Sequence, residues 1–167
     1  MPAQVDLWKR SDAVFSDDAR YRYTLLRSWE MTGPQVCFCM LNPSVADHLV
    51  DDATIRRCLA YARDWGYGSL QVTNLFAYRA TNPALLREVD DPVGPQNNHT
   101  ILDAAFHADR VIIAWGTHGT YRERDQQVLA LLERADCEPY HLGLTREGQP
   151  RHPLYLRKTV TPQPYVP

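Results

Sequence analysis

The chain has 167 residues, 44% of them hydrophobic, enough for one domain spanning 1–167 that buries most of its apolar surface. A formal net charge of −2 excludes a global electrostatic pull towards nucleic acid. Met1 to Arg10 lacks an apolar core and no run is long enough to cross a bilayer, so a cytoplasmic protein without membrane contact is expected.

Residues 1–18 read as polar and irregular, with a turn at Ser16-Asp17-Asp18. Arg20 to Trp29 is rich in Tyr, Leu and Trp and predicts a strand, either pairing at the sheet edge or forming a hairpin with the next one. Met31-Thr32-Gly33-Pro34 turns the chain into the apolar run Val36 to Leu41, which breaks at Asn42-Pro43-Ser44. Asp51 or Asp52 can cap a helix whose apolar positions are Ile55, Cys58, Leu59, Ala62 and Trp65, stopped by Gly66-Tyr67-Gly68. A strand follows at Ser69 to Asn74, then a short turn around Pro83 to Arg87 and a loop from Asp90 to Pro95. Asn97 or Asn98 starts a helix through Phe106, Arg110 to Trp115 is a strand, and Tyr121 to Ala135 reads as a helix. Glu138 to Leu142 is the last predicted strand, and 161–167 an extended, proline-rich tail. Strand and helix alternate from residue 35 onward, which predicts a three-layer α/β/α fold around a mostly parallel sheet of four strands, with an extra N-terminal strand or hairpin.

On that reading several polar groups end their strands at one edge. Asn42-Pro43-Ser44, Thr73-Asn74 and Trp115-Gly116-Thr117-His118 each follow an apolar run, and His141 to Leu144 leads towards Arg151-His152-Pro153. The carboxyl edge of such a sheet is where ligands bind. An asparagine there offers both an acceptor and a donor, so Asn42 could hold a water or read a base edge. Pro43 stiffens the turn after it. His118 shares the edge with Asn42, and Trp115 could be a wall of the site or part of the core.

Other features point to structure. Asp47, Asp51 and Asp52 suit helix capping better than a cation site. Cys37, Cys39, Cys58 and Cys137 lack close C-x-x-C spacing, so reduced thiols are expected and no metal or cofactor is assigned. Sixteen of the 18 basic residues are arginine, an excess best read as codon bias; only Arg56, Arg57, Arg79, Arg151 and Arg157 fall beside the expected site. Neither a dinucleotide glycine motif nor a P-loop is present.

Asn42-Pro43-Ser44, Thr73-Asn74 and His152-Pro153, in that order, resemble motifs of the uracil-DNA glycosylase superfamily, and Val72 to Arg79 is similar to its second-strand region. A fuller resemblance is to a bacterial family of unknown function, domain of unknown function 1643. It runs through Met40-Leu41-Asn42-Pro43-Ser44, Ala46-Asp47, Asp52 to Arg57, Asn74-Leu75-Phe76, Arg79-Ala80-Thr81, Pro92 to Pro95, Trp115-Gly116 and Arg151 to Tyr155. That family carries no established reaction. The glycosylase resemblance implies that Asn42 positions water, that His152 stabilises the leaving base and that Asn74 reads the base edge. It also implies that Phe76 or Tyr78 stacks the base and that Arg56, Arg57, Arg79 and Arg151 hold phosphates.

The expected activity is N-glycosidic hydrolysis of a damaged or modified base in nucleic acid. A non-catalytic nucleotide-binding module and a hydrolase of free nucleosides or nucleotides are the alternatives. Asn42 and His152 are the candidate catalytic residues, with Pro43, Ser44, Asn74, Phe76, Arg79, Trp115, His118 and Arg151 as substrate contacts. No obligate protein partner is expected.

Overall fold

The computed structural model describes residues 10–167. Its strands are β1 (Arg10–Phe15), β2 (Arg22–Ser28), β3 (Gln35–Met40), β4 (Ser69–Asn74), β5 (Arg110–Ile113), β6 (Tyr140–His141) and β7 (Gln163–Pro164). Its α-helices are α1 (Ala53–Asp64), α2 (Asn97–His107) and α3 (Arg124–Arg134). Among the described residues the strands form one sheet in the order β1-β2-β4-β3-β5-β6-β7.

The core starts from β3. Its run Val36 to Met40 is buried throughout, as a strand covered on both faces must be. Val36, Phe38 and Met40 pack with Ile55, Cys58, Leu59 and Ala62 of α1. Cys37 and Cys39 face the other way, among Ile101 and Ala104 of α2 and Val128, Leu131 and Leu132 of α3. The strand's two-residue period thus feeds two separate cores. Phe38 and Trp65 stack at 6.1 Å, anchoring the end of α1 to the sheet centre.

The four-stranded, mostly parallel sheet of a uracil-DNA glycosylase-like fold is not what forms. The sheet has seven strands and is mixed. β3 pairs in parallel with β4 and β5, and β5 with β6. β1 with β2, β2 with β4, and β6 with β7 are antiparallel. The outer edge of β4 carries unpaired backbone groups that a further strand satisfies, and β2 fills that place with Leu25 opposite Val72. β2 is therefore an interior strand, neither an edge nor a hairpin partner of β3. The segment read as irregular contains β1, and the tail read as merely extended contributes β7. The third helix starts later than expected. Thr117–Glu123 is a kinked 3₁₀ segment in which Arg122 and Glu123 hold positive φ.

One buried ion pair fixes the loop between β3 and α1. Arg27 on β2 donates from Nε to Asp51 Oδ1 at 3.0 Å, with both side chains shut off from solvent. Its Nη1 donates to Leu26 O at 3.0 Å, and its Nη2 to Asp47 O and Val50 O. Asp52, next along, caps α1 by accepting from Ile55 N–H at 2.9 Å. Removing one partner of such a pair strands the other charge. Arg27→Ala should therefore lower the unfolding free energy by about 3–5 kcal/mol. Replacing both partners with apolar residues, Arg27→Met with Asp51→Leu, should recover much of that loss in urea denaturation.

Candidate functional site

A cavity of about 600 Å³ opens at the carboxyl ends of β3, β4 and β5. Asn42, Pro43, Ser44, Asn74, Trp115, His118 and His152 all line it. The backbone extends the parallel pairing past the strand ends: Leu75 N–H donates to Met40 O at 2.8 Å and Ala114 N–H to Cys39 O at 2.8 Å. The polar residues that end separate strands are thereby held around one opening.

Asn42 is fastened by its own amide. Nδ2 donates to Ala80 O at 2.8 Å and to Pro43 O at 3.0 Å, while Ala80 N–H donates back to Pro43 O at 2.9 Å. With both amide hydrogens committed, Oδ1 is the group left to accept a bond. Asn74 is the opposite case. Its side chain is 1% exposed and Nδ2 has no hydrogen-bond partner among the described residues. The peptide behind it is clamped. Asn97 Nδ2 donates to Asn74 O at 2.8 Å and to Leu75 O at 3.0 Å, and Arg124 Nε donates to Leu75 O at 2.8 Å.

His152 accepts from Leu154 N–H through Nδ1 at 3.2 Å, which leaves the proton of the neutral ring on Nε2. Burial holds its pKa below the usual histidine value, and the charge of Asp52 opposes that shift. Trp115 forms a buried wall. Its Nε1 donates to Gln149 Oε1 at 2.9 Å, and Gln149 Nε2 donates in turn to Asp125 Oδ2 at 3.2 Å. A side chain at Gly119 would come within 2.2 Å of the Trp115 ring, so only glycine lets the 3₁₀ segment lie against it.

Other expected residues lie apart from the cavity. Phe76 is fully buried and packs against Tyr121 at 5.7 Å, on the α2/α3 side of the sheet. Tyr78 packs edge-on against Tyr21, so neither ring is placed to stack a ligand base. Arg79 lies over the Phe15 ring at 4.8 Å and donates to Ala19 O at 3.2 Å. Arg151 and Arg157 line a neighbouring cavity that shares Tyr155 with the first. Arg56, Arg57 and Lys158 line a third that shares Leu154.

The polar residues Arg22, Asp52, Thr54 and Thr81, not foreseen as site residues, also line the first cavity. Arg22 had a weak signal, a charged residue between Tyr21 and Tyr23 in the predicted strand. Asp52 was legible only as a cap. Among the described residues no group of three His, Cys, Asp or Glu side chains could hold a metal ion. The thiols of Cys37, Cys39 and Cys58 are pushed up by burial, Cys39 to about 11, which makes them poor nucleophiles. No helix among the described residues is long and apolar enough to cross a membrane.

The model of a protein family of unknown function, DUF1643, matches residues 22–154. The chain belongs to that family. No curated protein and no solved structure matches it. The DUF1643 segment begins at Arg22 and ends at Leu154, both on the cavity wall, so it contains nearly the whole site.

The Asp52 charge gives a clean electrostatic test. Asp52→Asn keeps a side-chain oxygen to cap α1 but removes the negative charge that props up His152. The His152 pKa, already below the ordinary value, should fall further in this variant, read from its imidazole resonances in an NMR pH titration. With the folded pKa depressed, stability is lost as pH falls from about 6.5 towards the folded value, because the unfolded chain takes up the proton first. That loss should extend to lower pH in Asp52→Asn.

Proposed function

We propose that this protein hydrolyses an N-glycosidic bond, holding the nucleobase of a free nucleoside or nucleotide in the cavity. The observation that carries the reading is Asn74: a buried amide donor without an acceptor among the described residues, in the same cavity as Asn42 and His152. A buried donor is costly unless something accepts from it. A base carbonyl or ring nitrogen supplies such an acceptor.

The roles follow from which atoms are free. Asn42 Oδ1 accepts from a water and orients it towards the anomeric carbon. The water oxygen forms the new bond to that carbon as the carbon–nitrogen bond breaks. His152 Nε2–H faces the charge that develops on the departing base. One proton of the water passes to solvent or to the Asp52 carboxylate, and the base nitrogen regains a proton. Water is the only co-reactant. A cavity of about 600 Å³ lies within the range of roughly 300–1,000 Å³ typical of small-ligand sites. The cations beside Leu154 and Tyr155 would draw an anionic substrate towards the opening.

One observation favours a pocket that binds without reacting. The Asn42 amide fastens its own loop, and loop closure alone could explain that residue. Turnover separates the two readings. A screen for base release should cover free nucleosides, nucleotides, and single- and double-stranded oligonucleotides. On the substrate so found, His152→Ala should lose about 10²–10³-fold in single-turnover rate, as loss of one stabilising donor does. Asn42→Ala should lose rate with little change in binding. Asn74→Ala should instead weaken binding by about 1–3 kcal/mol, some 5- to 150-fold in Kd. Wild-type rates in both Asn42→Ala and His152→Ala would sink the hydrolytic mechanism. Release only from oligonucleotides would move the substrate from the free nucleotide to the polymer.

A further inference from the structure

We infer that Arg22 and the first turn of α1 form an anion subsite inside the cavity, fitted to the phosphate of a nucleoside monophosphate. The inference rests on the nucleobase reading for the rest of the ligand, but the subsite itself stands on separate observations.

Arg22 is a buried cation, 2% exposed, that makes no ion pair among the described residues. Nη1 donates to Ala46 O at 2.9 Å, whereas Nε has no hydrogen-bond partner among the described residues. Burial pushes the guanidinium pKa down to about 10, so the group is still charged at neutral pH. The contrast with Arg27 on the same strand is direct. That guanidinium is equally buried, but it has the Asp51 carboxylate and several carbonyls around it. The Asp52 and Asp47 carboxylates offset part of the Arg22 charge from a distance, but neither pairs with it directly among the described residues, and a buried charge without a direct partner is costly. Arg22 also lines the cavity, where an arriving anion would neutralise it.

The second half of the subsite comes from α1, a helix of 12 residues. Asp52, Ala53, Thr54 and Ile55 all line the same cavity. Asp52 Oδ1 occupies the Ile55 amide, and Arg56 N–H donates to Asp52 O. Ala53 and Thr54 come before the point where a helix can supply intrahelical acceptors. Their N–H groups and the positive end of the helix favour an anion there. The Thr54 hydroxyl can add a donor.

Asp52 limits what fits. Its carboxylate shares the lining and offsets most of the positive charge of Arg22 and the helix end, so a single phosphate monoester meets less repulsion here than a chain of phosphates. The second carboxylate oxygen suits a sugar hydroxyl, which donates to it. Base on Asn74, sugar beside Asp52 and phosphate on Arg22 describe one nucleotide enclosed in one cavity. An internal nucleotide of a strand, with phosphates continuing on both sides, fits this poorly.

The test uses the full chain and two variants. Arg22→Met keeps much of the side-chain volume and removes the charge. Ala53→Pro removes one amide at the first helical position, where proline is well tolerated and where Asp52 already has the extended backbone that precedes proline. Binding of inorganic phosphate is measured by calorimetry and by phosphorus NMR. A panel of nucleosides and their 5′-monophosphates is titrated alongside. Inorganic phosphate should bind the parent chain and compete with the preferred monophosphate, and that monophosphate should bind at least about tenfold tighter than its nucleoside. Arg22→Met should erase the tenfold preference, and Ala53→Pro should reduce it about threefold, with nucleoside affinity unchanged in both.

Equal affinity for nucleoside and monophosphate in the parent chain would overturn the subsite while leaving the hydrolytic reading intact. So would undiminished phosphate binding in Ala53→Pro, an outcome that counts even if Arg22→Met fails to fold. Phosphate binding that follows the variants as expected, with no base released from any substrate, would keep the subsite and overturn the hydrolase.

Discussion

The Arg27–Asp51 pair is the constraint on which the site depends. A loop of twelve residues separates the end of β3 from the start of α1, and nothing in its composition forces one path. Arg27 reaches into it from β2 and takes up Asp47 O, Val50 O and the Asp51 carboxylate together. Two charges are costly to bury, but here the remaining donors of the guanidinium are met by carbonyls, the condition under which such a pair holds one geometry. Asp52 follows directly and caps α1. The helix therefore begins at a fixed point against the cavity, while the other end of the loop is tied down by Asn42 to Ala80.

Satisfied and unsatisfied polar groups sort by place. Arg27 is buried and fully engaged; Arg22 and Asn74 are buried with donors left over, and both line the cavity. The other buried side-chain atoms without partners among the described residues, Asn97 Oδ1 and Arg124 Nη2, belong to the two side chains that converge on Leu75 O behind Asn74. Buried polar groups without partners are rare in folded proteins, and each calls for an explanation. For Arg22 and Asn74 the proposed nucleotide would supply it. For Asn97 and Arg124, whose Nδ2 and Nε both donate to Leu75 O, the atoms left over are an acceptor and a donor, the pair of groups a bridging water satisfies.

The sequence made some of this legible and hid the rest for physical reasons. β3, α1 and β4 were readable because their signals are local: an apolar run, a capping Asp, a helical spacing and a glycine stop. The grouping of Asn42, Asn74, Trp115, His118 and His152 on one cavity followed from placing each after a strand. Strand pairing is not local, and nothing in Arg22 to Ser28 says that it adds to β4 and not to β3. Phe76 and Tyr78 had the right residue type for a stacking ring, but the turn after β4 sends both into packing contacts. Arg151 was placed beside the site by sequence, yet its guanidinium turns to Tyr155 O in the adjoining cavity.

The connectivity explains why a cavity forms here at all. From β3 the chain crosses through α1 on one face to β4, then returns through α2 on the other face to β5, on the far side of β3. The chain leaves β3 towards β4 and leaves β5 towards β6, in opposite directions, and the crevice between these two strands opens at their carboxyl ends. Asn42 and Trp115 follow the two strands that flank that division, and Asn74 follows the third. The antiparallel β2 then contributes what a purely parallel sheet could not. It begins where β4 ends: Leu25 lies opposite Val72, and Arg22 N–H donates to Ala77 O at 2.9 Å, just beyond Asn74. Run in the parallel sense, β2 would carry Arg22 to the opposite edge of the sheet. The departure from the expected topology is what brings the Arg22 cation to the cavity.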